Sequence, residues 1–170
     1  MDIVNILESF DTSPVSWKWI NKKDNKHNSP LARIAAFVID GIEYKVNITT
    51  TNDPNDRIYE IAFYMGDDDQ GDNDRMTNTG NQYKVLSTVM DIMESFIVKH
   101  KKVIKGIIFA ANKRISKYDY EESDSRDKVY RRLIYKNIKK LPGIWSVTET
   151  NNKSGNFIVF HLHNHNFNEQ

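Results

Sequence analysis

Four stretches of this sequence carry side chains with the chemistry of a site. The first is 75–81 (RMTNTGN), a polar run that leads into a long apolar-periodic segment. Asn and Gly tolerate left-handed φ, so successive backbone N–H groups there could converge on an anion, and a helix dipole would add to the attraction. The same residues read equally well as an ordinary helix cap, because Thr79 and Gln82 have the spacing of a capping box. The second stretch is 125–140, where Arg126, Lys128, Arg131, Arg132, Lys136 and Lys139 ring an apolar face. With the lysines of 99–105 they could track a phosphate backbone; no base-reading motif accompanies them, so such contact would be sequence-independent. Solvation of the helix face explains the same charges. The third is His161, His163 and His165, which alternate and would share one side of a strand. Two such histidines can share a metal ion, but no acid adjoins them and no metal is assigned. The fourth is the acidic run 66–77, which offers oxygens but no register with the glycine and distal glutamate of an EF-hand loop. Trp17 and Trp19 could stack on a ligand ring, or lie on a core as part of a short strand.

Composition bounds what these residues can serve. The 170 residues suit one domain with an extension and can bury a core without staples. There is no cysteine, which excludes a disulfide framework, a thiol nucleophile and a cysteine metal site. Net charge is only +1, yet 53–74 is strongly acidic and 99–140 strongly basic. No apolar run is long enough to cross a bilayer. The opening MDIVNILESFD has acids and no basic segment, so it does not read as a signal peptide. The default expectation is a cytosolic location in whatever cell makes it, neither secreted nor membrane-bound.

The elements that must position these groups follow from periodicity. A short helix is expected over 1–10 and a strand over 15–20. Segments 34–39 and 42–48 flank Asp40-Gly41, a dipeptide suited to a type I′ hairpin turn. A third strand is expected over 57–65. Leu86, Val89, Met90, Met93, Phe96 and Ile97 then repeat at helical spacing and make one apolar face of a central helix. A buried strand follows over 103–111, with Ile104, Ile107, Ile108 and Phe109. A second helix over 125–140 turns Val129, Tyr130, Leu133, Ile134 and Ile138 inward until Pro142-Gly143 stops it. Strands over 144–150 and 156–163 close the chain as a hairpin. The fold class is therefore α/β, in the α+β sense: a largely antiparallel sheet with one βαβ crossover and two main helices. Residues 1–30 form a helix and strand packed on a main domain of 31–170.

That order resembles the GNAT acyltransferase superfamily. The family's cofactor loop has Arg or Gln, two residues, Gly, one residue, and Gly or Ala at the start of the long helix. Arg75, Asn78 and Gly80 occupy those positions, with Asn in place of the first Gly. The resemblance implies acetyl-CoA as a cofactor held by Arg75, Asn78, Thr79, Gly80 and Asn81, with Asn112 beyond the next strand. It implies Tyr130 as general acid and Glu60 as general base. The pattern TGN…V…TV..I is also similar to that of uncharacterised tailed-phage proteins, which implies a viral origin and a place in the host cytoplasm or the virion. Three functions follow as expectations. The leading one is a binding or structural module on a degenerate GNAT-like fold, meeting a protein partner, virion components or nucleic acid. The others are an acetyl-CoA-dependent N-acyltransferase and a sequence-independent nucleic-acid-binding accessory protein. No membrane partner is expected.

Overall fold

The computed structural model describes residues 13–20, 33–51, 53–65, 82–112, 123–151 and 157–167. Among these residues seven strands form one sheet: β1 (Trp17–Ile20), β2 (Arg33–Ile39), β3 (Ile42–Thr50), β4 (Ile58–Met65), β5 (Gly106–Asn112), β6 (Trp145–Asn151) and β7 (Phe157–Asn164). The order is β1-β2-β3-β4-β5-β7-β6. Every neighbouring pair is antiparallel except β4 with β5. Helix α1 (Gln82–His100) is the crossover that this parallel pair requires, and α2 (Ser123–Ile138) connects β5 to β6. The expected helix over 1–10 lies outside the described residues, as do Thr79 and the Gln82 side chain of the expected capping box.

Local sequence sets most of these boundaries. Asp40 and Gly41 take φ of 49° and 78°, the left-handed pair of a two-residue turn, and Ile39 pairs with Ile42 across it. In β3, Tyr44, Val46 and Ile48 are buried while their neighbours are not, as a strand with one covered face requires. β4 begins at Ile58, one residue later than periodicity suggests. Pro54–Asp56 forms a 3-10 turn closed by Arg57 at φ 54°, and the Asp53 side chain accepts from Asn55 N at 2.8 Å. β5 begins at Gly106 rather than 103, because the amides of Val103 and Ile104 donate to His100 O at 2.9 and 3.1 Å and extend the turn after α1. Helix α2 spans Ser123–Ile138 where 125–140 was expected. Its end tightens into two turns, with Lys140 N on Asn137 O and Leu141 N on Ile138 O. Gly143 at φ 92° completes the exit; a Cβ there would overlap the Asn166 amide.

One face of the sheet holds the core. Phe37, Tyr44, Val46, Ile61, Phe109 and Phe160 point to it, and both helices pack there. All six residues of the expected α1 stripe are at most 3% exposed, and Val85 and Ile92 widen it. Each such side chain contributes roughly 1.5–3 kcal/mol of transfer free energy. The N-terminal strand is fastened to the same helix. Trp17 Nε1 donates to Asp91 Oδ2 at 2.7 Å, and Val15 N donates to the buried Thr88 hydroxyl at 3.0 Å. Ile108 departs from expectation: its β5 register puts it on the opposite face, where it is only partly covered.

Phe96 is fully buried and meets Tyr59 edge-on at 5.4 Å, whereas Val98 two residues on is half exposed. Phe96→Ala is expected to cost about 3–5 kcal/mol through lost transfer energy and a cavity. Val98→Ala should stay within about 0.5 kcal/mol of wild type. Urea unfolding midpoints of the two variants check the contrast.

Candidate functional site

Strand register assembles the candidate site on the face away from the helices. Thr49, Glu60, Ile108, His161 and Thr148 stand in one row across β3, β4, β5, β7 and β6. Glu60 is exposed there. It sits one residue before the β4–β5 ladder ends.

That ladder is short. It joins Ile58–Ile61 to Gly106–Phe109 and stops. Beyond it β4 continues to Met65 paired only with β3, and β5 continues to Asn112 paired only with β7. The two parallel strands therefore open at their carboxyl ends. Phe63 and Phe109 lie stacked at the throat, with ring centroids 6.2 Å apart. Because α1 and α2 each run back from this end, their first residues sit beside the opening. A crevice outside the carboxyl ends of parallel strands is where open α/β sheets place ligands.

From the middle of the sheet towards the end where β5 begins, β6 and β7 form a ladder of hydroxyls and imidazoles. Ser146, Thr148 and Thr150 lie 2.6, 2.9 and 3.1 Å from Nε2 of His165, His163 and His161, in that order. The rings of His161 and His163 are near-parallel, 15° apart with centroids at 6.4 Å. Burial, and then the neighbouring His163, push the His161 pKa below its ordinary value. No group of three or more His, Cys, Asp or Glu is placed to hold a metal among the described residues. The antiparallel pairing of SVTET with HLHNH contains this ladder, but the hydroxyls were missed because alternation was read on one strand only.

The other expected residues divide. Asn112 is the last residue of β5, with its backbone opposite Phe157. Tyr130 lies in α2, but its side chain is outside the described residues, as are those of Arg126 and Lys128. Arg75, Asn78, Thr79, Gly80 and Asn81 also lie outside them, between the ends of β4 and α1. The basic residues of α2 do not form one free face. Arg131 makes a two-pronged ion pair with Glu149 of β6, Nε to Oε1 at 2.8 Å and Nη2 to Oε2 at 3.1 Å. Arg132 is partly buried, with Nη1 enclosed. Lys136 edges a groove of about 140 Å³ between the helices, facing Asp91 and Glu94 of α1. Lys139 is exposed.

Comparison with known proteins gives a family for this architecture. The model of DUF6934, a family of unknown function, matches residues 38–169. The chain belongs to that family. No curated protein matches it significantly. Among solved structures, a ribosomal-protein-S5-alanine acetyltransferase from Vibrio fischeri aligns at 13% identity with a TM-score of 0.40. The alignment covers 82% of this chain and 65% of that one. Among its described residues this family member has a mixed sheet with one parallel pair and two α-helices. No described helix is long and apolar enough to cross a membrane.

The depressed pKa of His161 makes stability depend on pH. The folded state disfavours the protonated ring, so the unfolded state binds more protons as pH falls. The stabilising contribution is present above the ordinary histidine range and is lost as pH drops through the lowered pKa. His100 acts in the same direction, through burial first and then Arg33 and Lys99. Urea midpoints should therefore decline from pH 7.5 towards pH 5. His161→Asn should flatten that decline, and an unchanged slope would remove His161 from the account.

Proposed function

We propose that this chain is a ligand-binding module on a GNAT-like fold, whose opening between β4 and β5 takes the pantetheine arm of an acyl-CoA. The observation that carries the reading is the four-residue parallel ladder followed by divergence of two strands that both continue. A narrow, extended ligand with amide groups suits a gap lined by strand edges, because it can pair with backbone as an added strand does. The beginning of α1 adds a partial positive charge where the ligand's phosphates would emerge. In this reading Arg75, Asn78, Thr79, Gly80 and Asn81 form the phosphate loop, and Asn112, the last residue of β5, belongs to the same site. A tailed-phage source, with host or virion proteins as partners, rests on sequence pattern alone and belongs to the same proposal.

Acyl transfer to an amine is the second reading, favoured by the position of Glu60. Its carboxylate stands one residue short of the opening on an accessible face, where an acceptor amine could approach the thioester. Glu60 would accept the amine's proton, and Tyr130 would return one to the departing thiolate.

Acetyl-CoA at about a hundred times its dissociation constant should stabilise the fold by about 2.7 kcal/mol. That corresponds to a rise in melting temperature of roughly 5–10 °C for a chain of this size. Adenosine 3′,5′-bisphosphate, which lacks the pantetheine arm, should give little of the rise, and Gly80→Val should abolish it. An equal rise with the bisphosphate alone, or no rise with acetyl-CoA, would overturn the assignment of the opening. For the transfer reading, Glu60→Gln should keep the thermal shift and slow acylation of an amine about 10²–10⁴-fold.

A further inference from the structure

In an antiparallel pair, alternate residues turn their backbone N–H and C=O towards the partner strand and the residues between turn theirs away. β6 is an outer strand of the sheet, and among the described residues it pairs with β7 alone. The register fixes which of its residues face outward. His165 N donates to Ile144 O at 2.9 Å, in line with the register that sets Trp145 against Asn164. Ser146, Thr148 and Thr150 share the phase of Ile144 and use their backbone groups on β7. The backbone groups of Trp145, Val147 and Glu149 therefore point to the outer edge, where Thr148, Glu149 and Thr150 are all exposed.

Outer strands of natural sheets are usually guarded by shortness, Pro, Lys, a bulge or a bare charge. β1, at the other side of the sheet, has four residues and carries the exposed Lys18. β6 has seven residues, WSVTETN, and pairs without a bulge from Trp145 to Asn151. It contains no Pro and no Lys. Its charge, Glu149, is neutralised by Arg131 of α2 through bonds of 2.8 and 3.1 Å. Apolar surface flanks the same edge. Ile144, just before the strand, is 68% exposed. Tyr135 is one turn on from Arg131, hence on the same side of α2, and is 42% exposed.

We propose that β6 is the contact strand of a homodimer, pairing antiparallel with β6 of a second copy about a two-fold axis at Thr148. The outward phase allows a two-fold at Val147, Thr148 or Glu149. At Glu149 the two glutamates would stand opposite each other. At Val147 the pairing would run into Gly143, whose φ of 92° lies outside strand geometry. At Thr148 the backbone of Val147 bonds that of the partner's Glu149, and Ser146 stands beside the partner's Thr150. Thr148 meets its own copy in a close pair without hydrogen bonds. Hydroxyl pairs of this kind support a sheet, and no like charges are opposed. This self-complementarity selects a second copy over an unrelated strand. The axis stands normal to the sheet, so both copies keep their helices on one face and the Tyr135 sides of α2 turn towards each other. The dimer is independent of any ligand at the opening between β4 and β5.

Sedimentation velocity of the full chain should show a monomer–dimer equilibrium that shifts with concentration. Thr148→Lys and Thr148→Glu each set like charges opposite across the axis and should weaken the dimer about tenfold or more. Mixing the two variants should restore it, because Lys then meets Glu; recovery also shows that both variants fold. The chain has no cysteine, so an introduced one reports its own position. Thr148→Cys should give a disulfide-linked dimer on mild oxidation, and Lys18→Cys on β1 should not. Four results would overturn the proposal: a monomer at the highest soluble concentration, a dimer indifferent to Thr148→Lys, a mixture that stays monomeric, or equal cross-linking of the two cysteine variants.

Discussion

The apolar stripe of α1 sets the geometry on which the rest depends. A helix that must bury eight side chains can do so only by lying across the sheet. Lying there between β4 and β5 in the chain, it obliges those two strands to run the same way. Parallel strands bring both of their carboxyl ends to one edge, and the helix that joins them starts at that edge. The opening, the start of α1 and the start of α2 are neighbours for this reason. The lysine-rich exits of both helices are gathered at the opposite edge by the same constraint.

Placing both helices on one face leaves the other to be managed by polar chemistry. On the β6–β7 side that face is lined with hydroxyls and imidazoles at hydrogen-bond distance. A neutral imidazole can accept from a hydroxyl at one nitrogen and keep its other N–H for water. A second proton would charge a ring that already stacks on another histidine, and partial burial makes that charge costlier. At His161 the same packing that places the ring beside the Thr150 hydroxyl also disfavours its protonated form.

What was legible in the sequence is what local physics decides. The Asp40-Gly41 turn was readable because two left-handed residues in a row suit few residue types. The α1 stripe was readable because its spacing repeats over several turns. Arg57 was not readable: an arginine at φ 54° carries no signal of its own, and it shifted the start of β4. Ile108 was assigned to the core on hydrophobicity, although strand alternation put it on the other face from Ile107 and Phe109. The candidate site was less legible still. Glu60 and His161 share a row only because two strand registers intervene, and no sequence pattern encodes those registers. Arg131 was counted as a free cation because its partner Glu149 lies on a strand that had not yet been placed against α2.

The separation of the two ends bears on how any anion-binding result should be read. Helix α1 has 19 residues, so it spans about 28 Å at 1.5 Å per residue. The Debye length at physiological salt is about 8 Å, which leaves exposed charges at one end nearly blind to those at the other. Coenzyme A is itself a polyanion, and its adenosine phosphates would be drawn to the rim of exposed Lys101, Lys102 and Lys105 between α1 and β5 as well as to a helix start. Binding of the whole cofactor thus cannot by itself distinguish the two surfaces. The pantetheine arm can, because it carries no charge for the rim to attract and has the extended amide backbone that the opening would pair with. Salt separates them in the same way: it erodes attraction at the exposed rim and has less hold on backbone pairing between strands.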